Sequence, residues 1–373
     1  LTLPAMLRES GYRTVMVGKW HLGFEKADVA AVHHGGPVDR GFQRWFGIPA
    51  SLDIPPYYYI EGDRPVAPPT DTIGDRNTEG WSPIQGEFWR SGGIAPGFRH
   101  IDVLPTLTER TEREILDHGR NHPDQPLFLY LALPAPHTPW VPTDEFSGRS
   151  KVPLYGDFVM QVDATVGRVL TALDKAGIQD DTLVVFSSDN GPVWYQEDRQ
   201  KYAHSSTGVY RGMKGDAWEA GHRMPLLMRW PGRISPGRAT NQLACLTDLF
   251  ATTAAIVGFE LPENAAEDSI NLLPVLTDAV TEASMLRETL IVNSTGDFLN
   301  VRRGPWKLIP FRGSGGFSKP KLIRDVPAGE PIGQLYNLAD DPSETTNLYA
   351  QHPEIVAELT KLLADSQSTG RTR

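Results

Sequence analysis

The sequence predicts an α/β protein with a mostly parallel central sheet flanked by helices and a smaller C-terminal antiparallel α+β domain. Three observations lead there. Short apolar runs rich in β-branched residues alternate with stretches of helical periodicity. Several of those runs end in polar, glycine- or proline-rich turns, where the loops of a parallel sheet carry functional groups. Beyond about residue 275 the pattern changes to closely spaced strand candidates. The predicted division is therefore a larger domain over 1–274 and a smaller one over 275–373.

Leu3, Met6 and Leu7 share one helical face, and Gly11 follows as a C-terminal cap. Tyr12 to Val17 then reads as a short buried strand that runs into GKWHLG. From Tyr155, the residues Val159, Val162, Val166, Val169, Leu170 and Leu173 recur at helical spacing until Gly177. IQDDTLVVFSS after that helix, PLFLYLALP (Pro126 to Pro134) and PLLMRWPG (Pro225 to Gly232) read as buried parallel strands. Lys19, His21, His137, Asp189 and Asn190 all fall at or just beyond strand ends. Between Asp28 and Glu114 the chain is rich in glycine, proline and aromatics with little periodicity, which reads either as a cleft-shaping insertion or as a surface excursion. TDLFATTAAIVG reads as a helix, LIVNS, LNVRRGPWKLIP and QLYNLADDP as strands, and Pro353 to Ala364 as a last helix.

A chain of 373 residues exceeds the size of one hydrophobic core, so two unequal domains are expected. The net charge of −10 opposes nucleic acid, and an anionic substrate would need a local cluster of Lys, Arg and His. No stretch approaches the roughly eighteen apolar residues of a membrane span. The one cysteine, Cys245, excludes an internal disulfide and a zinc-thiolate site, and reads as a small buried hydrophobe in a helix or at a strand edge. LTLPAMLRESGY has no charged-then-apolar signal pattern.

Four groups carry candidate chemistry. Lys19 and His21 lie together on a glycine-freed turn, where a fixed cation and a proton carrier suit an anionic ester; a surface lysine and a packed histidine are the plainer reading. Asp189 and Asn190 are hard oxygen donors suited to Ca²⁺ or Mg²⁺, although Asp-Asn-Gly is also an ordinary turn. His137 sits between Pro136 and Pro139 on a restricted loop. Lys214 stands among glycines that permit close backbone approach.

Taken in order, these motifs resemble the sulfatase family. GYRTVMVGKWHLG (Gly11 to Gly23) is similar to the family signature, and it is followed by RGF with a nearby FG, PHTPW, YGDFVMQVDATVGRVLTALDKAG, FSSDNG, RGMKGDAWEAGHRMPLLMRWPG, TDLFATTAAIVG, WKLI and LYNLADDPSETTNL. The resemblance covers nearly the whole chain and implies an alkaline-phosphatase-like fold, with 1–274 as the catalytic domain and a periplasmic or secreted setting. It implies hydrolysis of a sulfate ester, on a sulfated carbohydrate or an aryl sulfate, through a formylglycine nucleophile and one Ca²⁺. Lys19 would contact the nucleophile and the sulfate, and His21 would deprotonate the second hydroxyl of the hydrated aldehyde. His137 would protonate the departing alcohol, Lys214 would bind sulfate and the leaving oxygen, and Asp189 and Asn190 would hold part of the Ca²⁺ site. His204 matches a position where relatives contact substrate, or is an ordinary loop histidine; Arg211 would pair with the core or the substrate. A formylglycine-generating enzyme or an anaerobic maturase is the implied partner.

The sequence departs from the family in one respect. It contains no C/S-x-P-x-R motif, since Cys245 is followed by Leu246, Thr247 and Leu249, and the paired aspartates that complete the Ca²⁺ site are missing with it. The expectation is an N-terminally truncated sulfatase with no nucleophile in this chain, inactive by itself and poorly soluble. The alternatives are a phosphodiesterase or phosphonate monoester hydrolase of the same superfamily, and a noncatalytic binder of sulfated glycans. The aromatics Tyr57, Tyr58, Tyr59, Trp81, Phe88 and Trp89 would stack sugar rings or pack against the sheet.

Overall fold

The computed structural model describes residues 1–372 except 26–27, 82–83, 281–283 and 297. The chain divides into two compact units, Leu1–Asp181 and Thr182–Arg373.

In the first unit helix α1 (Leu3–Glu9) is capped by the Thr2 side chain, which accepts from the Ala5 N–H, and buries Met6 and Leu7. β1 (Arg13–Lys19) is buried along all but its last residue, as a strand inside a parallel sheet requires. β2 (Arg44–Ile48) pairs parallel to it on one side, and β7 (Leu127–Ala132) on the other. The two-residue strands β3 (Ile60–Glu61) and β4 (Arg64–Pro65) extend the sheet antiparallel beyond β2, giving the order β4-β3-β2-β1-β7. β5 (Asp71–Ile73) and β6 (Gly92–Ile94) form a separate antiparallel pair. Helix α2 (Val103–Asn121) packs on β1 and against α3 (Tyr155–Lys175). The only charged group β1 buries, Arg13, donates to Glu114 of α2 at 2.7 Å, so neither charge is left unpaired.

The stretch from Asp28 to Glu114 is therefore less irregular than its composition suggests. Among its described residues it contains five short strands and the first part of α2. The helix was hidden because its buried face mixes Leu104, Leu107 and Ile115 with Thr108, Thr111, Glu114 and His118, which blunts the hydrophobic period. The two threonines satisfy their hydroxyls on the carbonyls of Leu104 and Leu107, one turn back.

In the second unit β8 (Val184–Ser187) and β9 (Leu226–Arg229) form a two-stranded sheet, and they run antiparallel rather than parallel. An apolar run specifies a strand, but not the direction of its neighbour. Helices α4 (Gln196–Tyr202), α5 (Asp248–Val257) and α6 (Leu273–Leu276) follow in chain order. Asp248 at the start of α5 accepts from the Cys245 and Ile270 N–H groups and pairs with buried Arg287. Cys245 lies in the irregular segment before α5 and is half-buried, so it is neither in a regular element nor a core residue. The C-terminal sheet is antiparallel as expected, in the order β10 (Thr289–Ser294), β11 (Phe298–Arg303), β12 (Trp306–Ile309), β13 (Gln334–Asn337). Its Val301, Leu308 and Leu335 pack with Leu359 and Leu363 of α7 (Pro353–Thr369).

On the other face of this sheet lies a buried charge cluster. Lys307 of β12, 1% exposed, contacts Glu219 at 2.9 Å and Glu344 at 3.1 Å, and Arg223 contacts Glu219 at 2.7 Å. Burial works against ionised Glu219, but Lys307 and Arg223 outweigh it and hold its carboxyl at about 2. For Glu344 burial dominates over Lys307 and pushes the carboxyl up. Removing the shared cation would strand a carboxylate in the interior. Lys307→Met is therefore expected to lower the unfolding free energy by about 3–5 kcal/mol, read from chemical denaturation; an unchanged midpoint would show that the cluster is not held together by this lysine.

Candidate active site

The first unit assembles a site at the carboxyl end of β1. Lys19 is the last residue of the strand, opposite Ile48 of β2. The pairing continues past it, with the Trp20 N–H donating to Ile48 O at 3.1 Å and the His21 N–H to Pro49 O at 2.9 Å. His21 then takes a left-handed backbone, φ 64°, and its Nδ1 accepts the Ser51 N–H at 3.2 Å. Thus the loop leaving β2 reaches back to orient a side chain leaving β1.

The same loop reaches His137. Asp53, 7% exposed, accepts the Ser51 hydroxyl at 2.5 Å on Oδ1 and Arg90 at 2.7 Å on Oδ2. Its Oδ1 lies 3.9 Å from His137 Nδ1. Burial would push the Asp53 carboxyl up, but the bonds from Ser51 and Arg90 and the facing His137 hold it below the usual range. His137 Nδ1 also meets Thr138 O at 2.8 Å, and cis bonds at Ala135–Pro136 and Thr138–Pro139 flank it. The Trp140 indole donates to Pro136 O at 2.9 Å. His21 and His137 therefore both meet one three-residue turn, Ser51–Asp53, that sequence reasoning did not single out, and Lys19 lies two residues before His21. The signal in the sequence is slight: Ser and Asp two apart, in a loop whose arginine partner lies far along the chain.

The aromatic insertion divides between packing and exposure. Tyr57 and Tyr58 are buried in the core, Tyr58 facing His33 Nε2 at 3.0 Å, and Trp89 stacks on His100. Phe88 lies under the Arg90 guanidinium, and Trp81 meets Trp140 edge to face.

The second unit holds the remaining predicted residues. Asp189 and Asn190 follow β8, and the next residue, Gly191, donates to Gly221 O at 3.1 Å. The Lys214 N–H donates to Pro192 O at 2.8 Å, so the lysine's loop runs beside the Asp-Asn turn. Asp216 braces this loop, accepting from Met213 N and from Ser318. Arg211 belongs to the core of this unit, with its guanidinium over the Trp218 ring and bonded to Glu344 O at 2.7 Å. His204 is exposed and stands edge-on to Trp194.

Ca²⁺ takes six to eight oxygen ligands, roughly. Asp189 and Asn190 offer oxygens of the right kind, but among the described residues no group of three His, Cys, Asp or Glu side chains converges on a metal position.

One end of a sheet that carries a lysine, two histidines and a buried carboxylate has the equipment of a hydrolase acting on an anionic ester. The chain belongs to the sulfatase family, whose description, Sulfatase, matches residues 1–259, and so is a sulfuric ester hydrolase by family. It is 33% identical over 401 aligned positions to an N-acetylgalactosamine-6-O-sulfatase of Bacteroides thetaiotaomicron, covering 97% of this chain and 76% of that protein. It is 32% identical to arylsulfatase A of Bos taurus, covering 96% and 68%. Against the N-acetylgalactosamine-6-sulfatase of Homo sapiens identity is 32%, and the chain spans about half that protein, 48%. A solved structure concerned with metabolism of multiple glycosaminoglycans by Bacteroides thetaiotaomicron superposes with a TM-score of 0.83 at 30% identity, covering 98% of this chain and 82% of that one. No helix among the described residues is long and apolar enough to cross a membrane.

Two tests address this site's framework. Asp53→Ala removes the carboxylate that Arg90 and Ser51 share, leaving Arg90 only the backbone carbonyl of residue 53, and should cost about 1–3 kcal/mol of stability by chemical denaturation, with Asp53→Asn recovering part of the loss. His100, packed behind the turn, and His222 in the second unit are each held near 4 rather than 6.5, chiefly by burial. Each is neutral when folded and binds a proton more readily when unfolded, so stability falls as pH drops from about 6.5 to about 4. The thermal midpoint should be lower at pH 5 than at pH 7, and His100→Phe should flatten that dependence.

Proposed function

We propose that this protein acts on a sulfate ester of a carbohydrate, with a 6-sulfated N-acetylhexosamine as the first substrate to try. The observation that carries the reading is the pairing of His21 and His137 on the Ser51–Asp53 turn beside Lys19. The names of two of the relatives, both N-acetylgalactosamine-6-sulfatases, favour an amino sugar. Sulfuryl transfer spreads negative charge over the equatorial oxygens, so fixed cations stabilise it and positioned histidines handle the protons. In the roles the resemblance implies, Lys19 and Lys214 meet the sulfate, His137 protonates the leaving alcohol, and His21 serves the nucleophile. Asp189 and Asn190 contribute to a Ca²⁺ site, and His204 is kept as a substrate contact on the resemblance alone.

A formylglycine supplies a hydrated aldehyde as nucleophile where the family's C/S-x-P-x-R motif is present and has been matured. These 373 residues contain no such motif, so no step through it is derived for this chain. Binding is the direct test. Calorimetry with N-acetylgalactosamine 6-sulfate in Ca²⁺ should show association that the unsulfated sugar lacks, weakened roughly tenfold to a hundredfold by Lys214→Ala. Equal binding of the unsulfated sugar would refute the substrate class, and preference for a phosphonate monoester would favour the sister activity. Sulfate release by the 373-residue chain itself would overturn the account of the nucleophile. Binding without turnover in a protein that carries a matured motif would select the glycan-binding reading.

A further inference from the structure

The two histidines of the first unit meet their surroundings with opposite polarity. His21 Nδ1 faces a backbone N–H, that of Ser51, which can only donate. His137 Nδ1 lies 2.8 Å from a backbone carbonyl, that of Thr138, which can only accept, with the Asp53 carboxylate beyond it at 3.9 Å; the Thr138 hydroxyl, which can donate or accept, stands farther off than the carbonyl at 3.5 Å. A neutral imidazole carries one proton, and the partner of one nitrogen decides which nitrogen holds it. On His21 the proton must sit on Nε2; on His137 it must sit on Nδ1.

We infer that the Ser51–Asp53 turn and the Thr138 carbonyl lock the two histidines in opposite tautomers, making His21 an Nε2–H donor and giving His137 an unprotonated Nε2 that can take up and pass on a proton. The turn holds its shape because Ser51 and Arg90 both donate to the same buried carboxylate. The Ser51 backbone N–H and the Asp53 carboxylate are therefore positioning groups, acting through the rings and not on the substrate. The inference rests on the proposed function only for its meaning, since the tautomers themselves can be read without any substrate.

The consequence concerns the division of labour. His137 suits the part of proton carrier to a leaving alcohol: an imidazolium formed on Nε2 keeps its Nδ1–H on Thr138 and faces Asp53. His21 already carries its proton on Nε2, so a second proton could go only to Nδ1, where it would face the Ser51 N–H. It starts as a hydrogen-bond donor, and service as a base requires release of the Ser51 bond and transfer of the ring proton to Nδ1.

The test is long-range ¹H–¹⁵N NMR on the full 373-residue chain labelled with [¹⁵N]histidine, at a pH where both rings are neutral. Signals are assigned by His21→Gln and His137→Gln. The expected spectrum shows His21 protonated on Nε2 and His137 on Nδ1. Ser51→Ala, which keeps the backbone N–H and loses the hydroxyl, should leave the His21 tautomer unchanged. Both rings in the same tautomer, or His21 protonated on Nδ1, would overturn the inference; a change of His21 tautomer in Ser51→Ala would overturn the assignment to the backbone. Failure of sulfated sugars to bind would sink the proposed function while leaving this result standing.

Discussion

The first unit depends on how closely its strands approach at the carboxyl end of β1. Gly18 has φ 125°, and a Cβ there would meet Ala132 O of β7 at 2.0 Å. A Cβ on its β2 partner Gly47 would meet Gly18 O at 1.7 Å. The crowded carbonyl of Gly18 also accepts from the Trp45 indole at 3.2 Å. Only glycines let three backbones come this close. Lys19 is the residue next to that pinch, and His21 follows while its backbone is still tied to the β2 side through Pro49. The closeness of the strands is thus what gives the lysine and the histidine a fixed origin, and it explains in physical terms why a Gly-Lys-x-His order suits this place.

Much of this was legible in the sequence. The alternation of apolar runs with helical periods located α1, β1, β7, α3, α5 and the C-terminal sheet, because each is long enough for its period to dominate its composition. Elements whose stability comes from tertiary partners were harder to see. α2 buries threonines and a glutamate that are satisfied by its own carbonyls and by Arg13, and a hydrophobic pattern cannot register such satisfaction. β8 and β9 are recognisable as strands, yet their antiparallel pairing is a relation between segments about forty residues apart.

The site divides the same way. Lys19, His21 and His137 stand out because their neighbours are glycines, prolines and strand ends, all of which leave local marks. Ser51, Asp53 and Arg90 leave none. Their role lies in a carboxylate shared between a hydroxyl two residues back and a guanidinium thirty-seven residues on. For the aromatic insertion the sequence leaves sugar stacking and packing both open, and Tyr57 and Tyr58 take the second, as core residues.

Asp53 and the buried charges around Lys307 are held differently, and the contrast bears on function. In the second unit Lys307, Glu219 and Glu344 meet one another away from solvent, with the more exposed Arg223 at the edge, an arrangement suited to fixing the packing of a sheet and little else. Asp53 is also buried, but its partners leave its Oδ1 facing an imidazole 3.9 Å away that is itself about one-third exposed. A carboxylate held in place by two donors, with an imidazole at its open side, can support a change of charge on that ring without moving. A proton-transfer site needs that rigidity. The turn supplies it from the backbone and from one shared acceptor, and it does so wholly within the first unit.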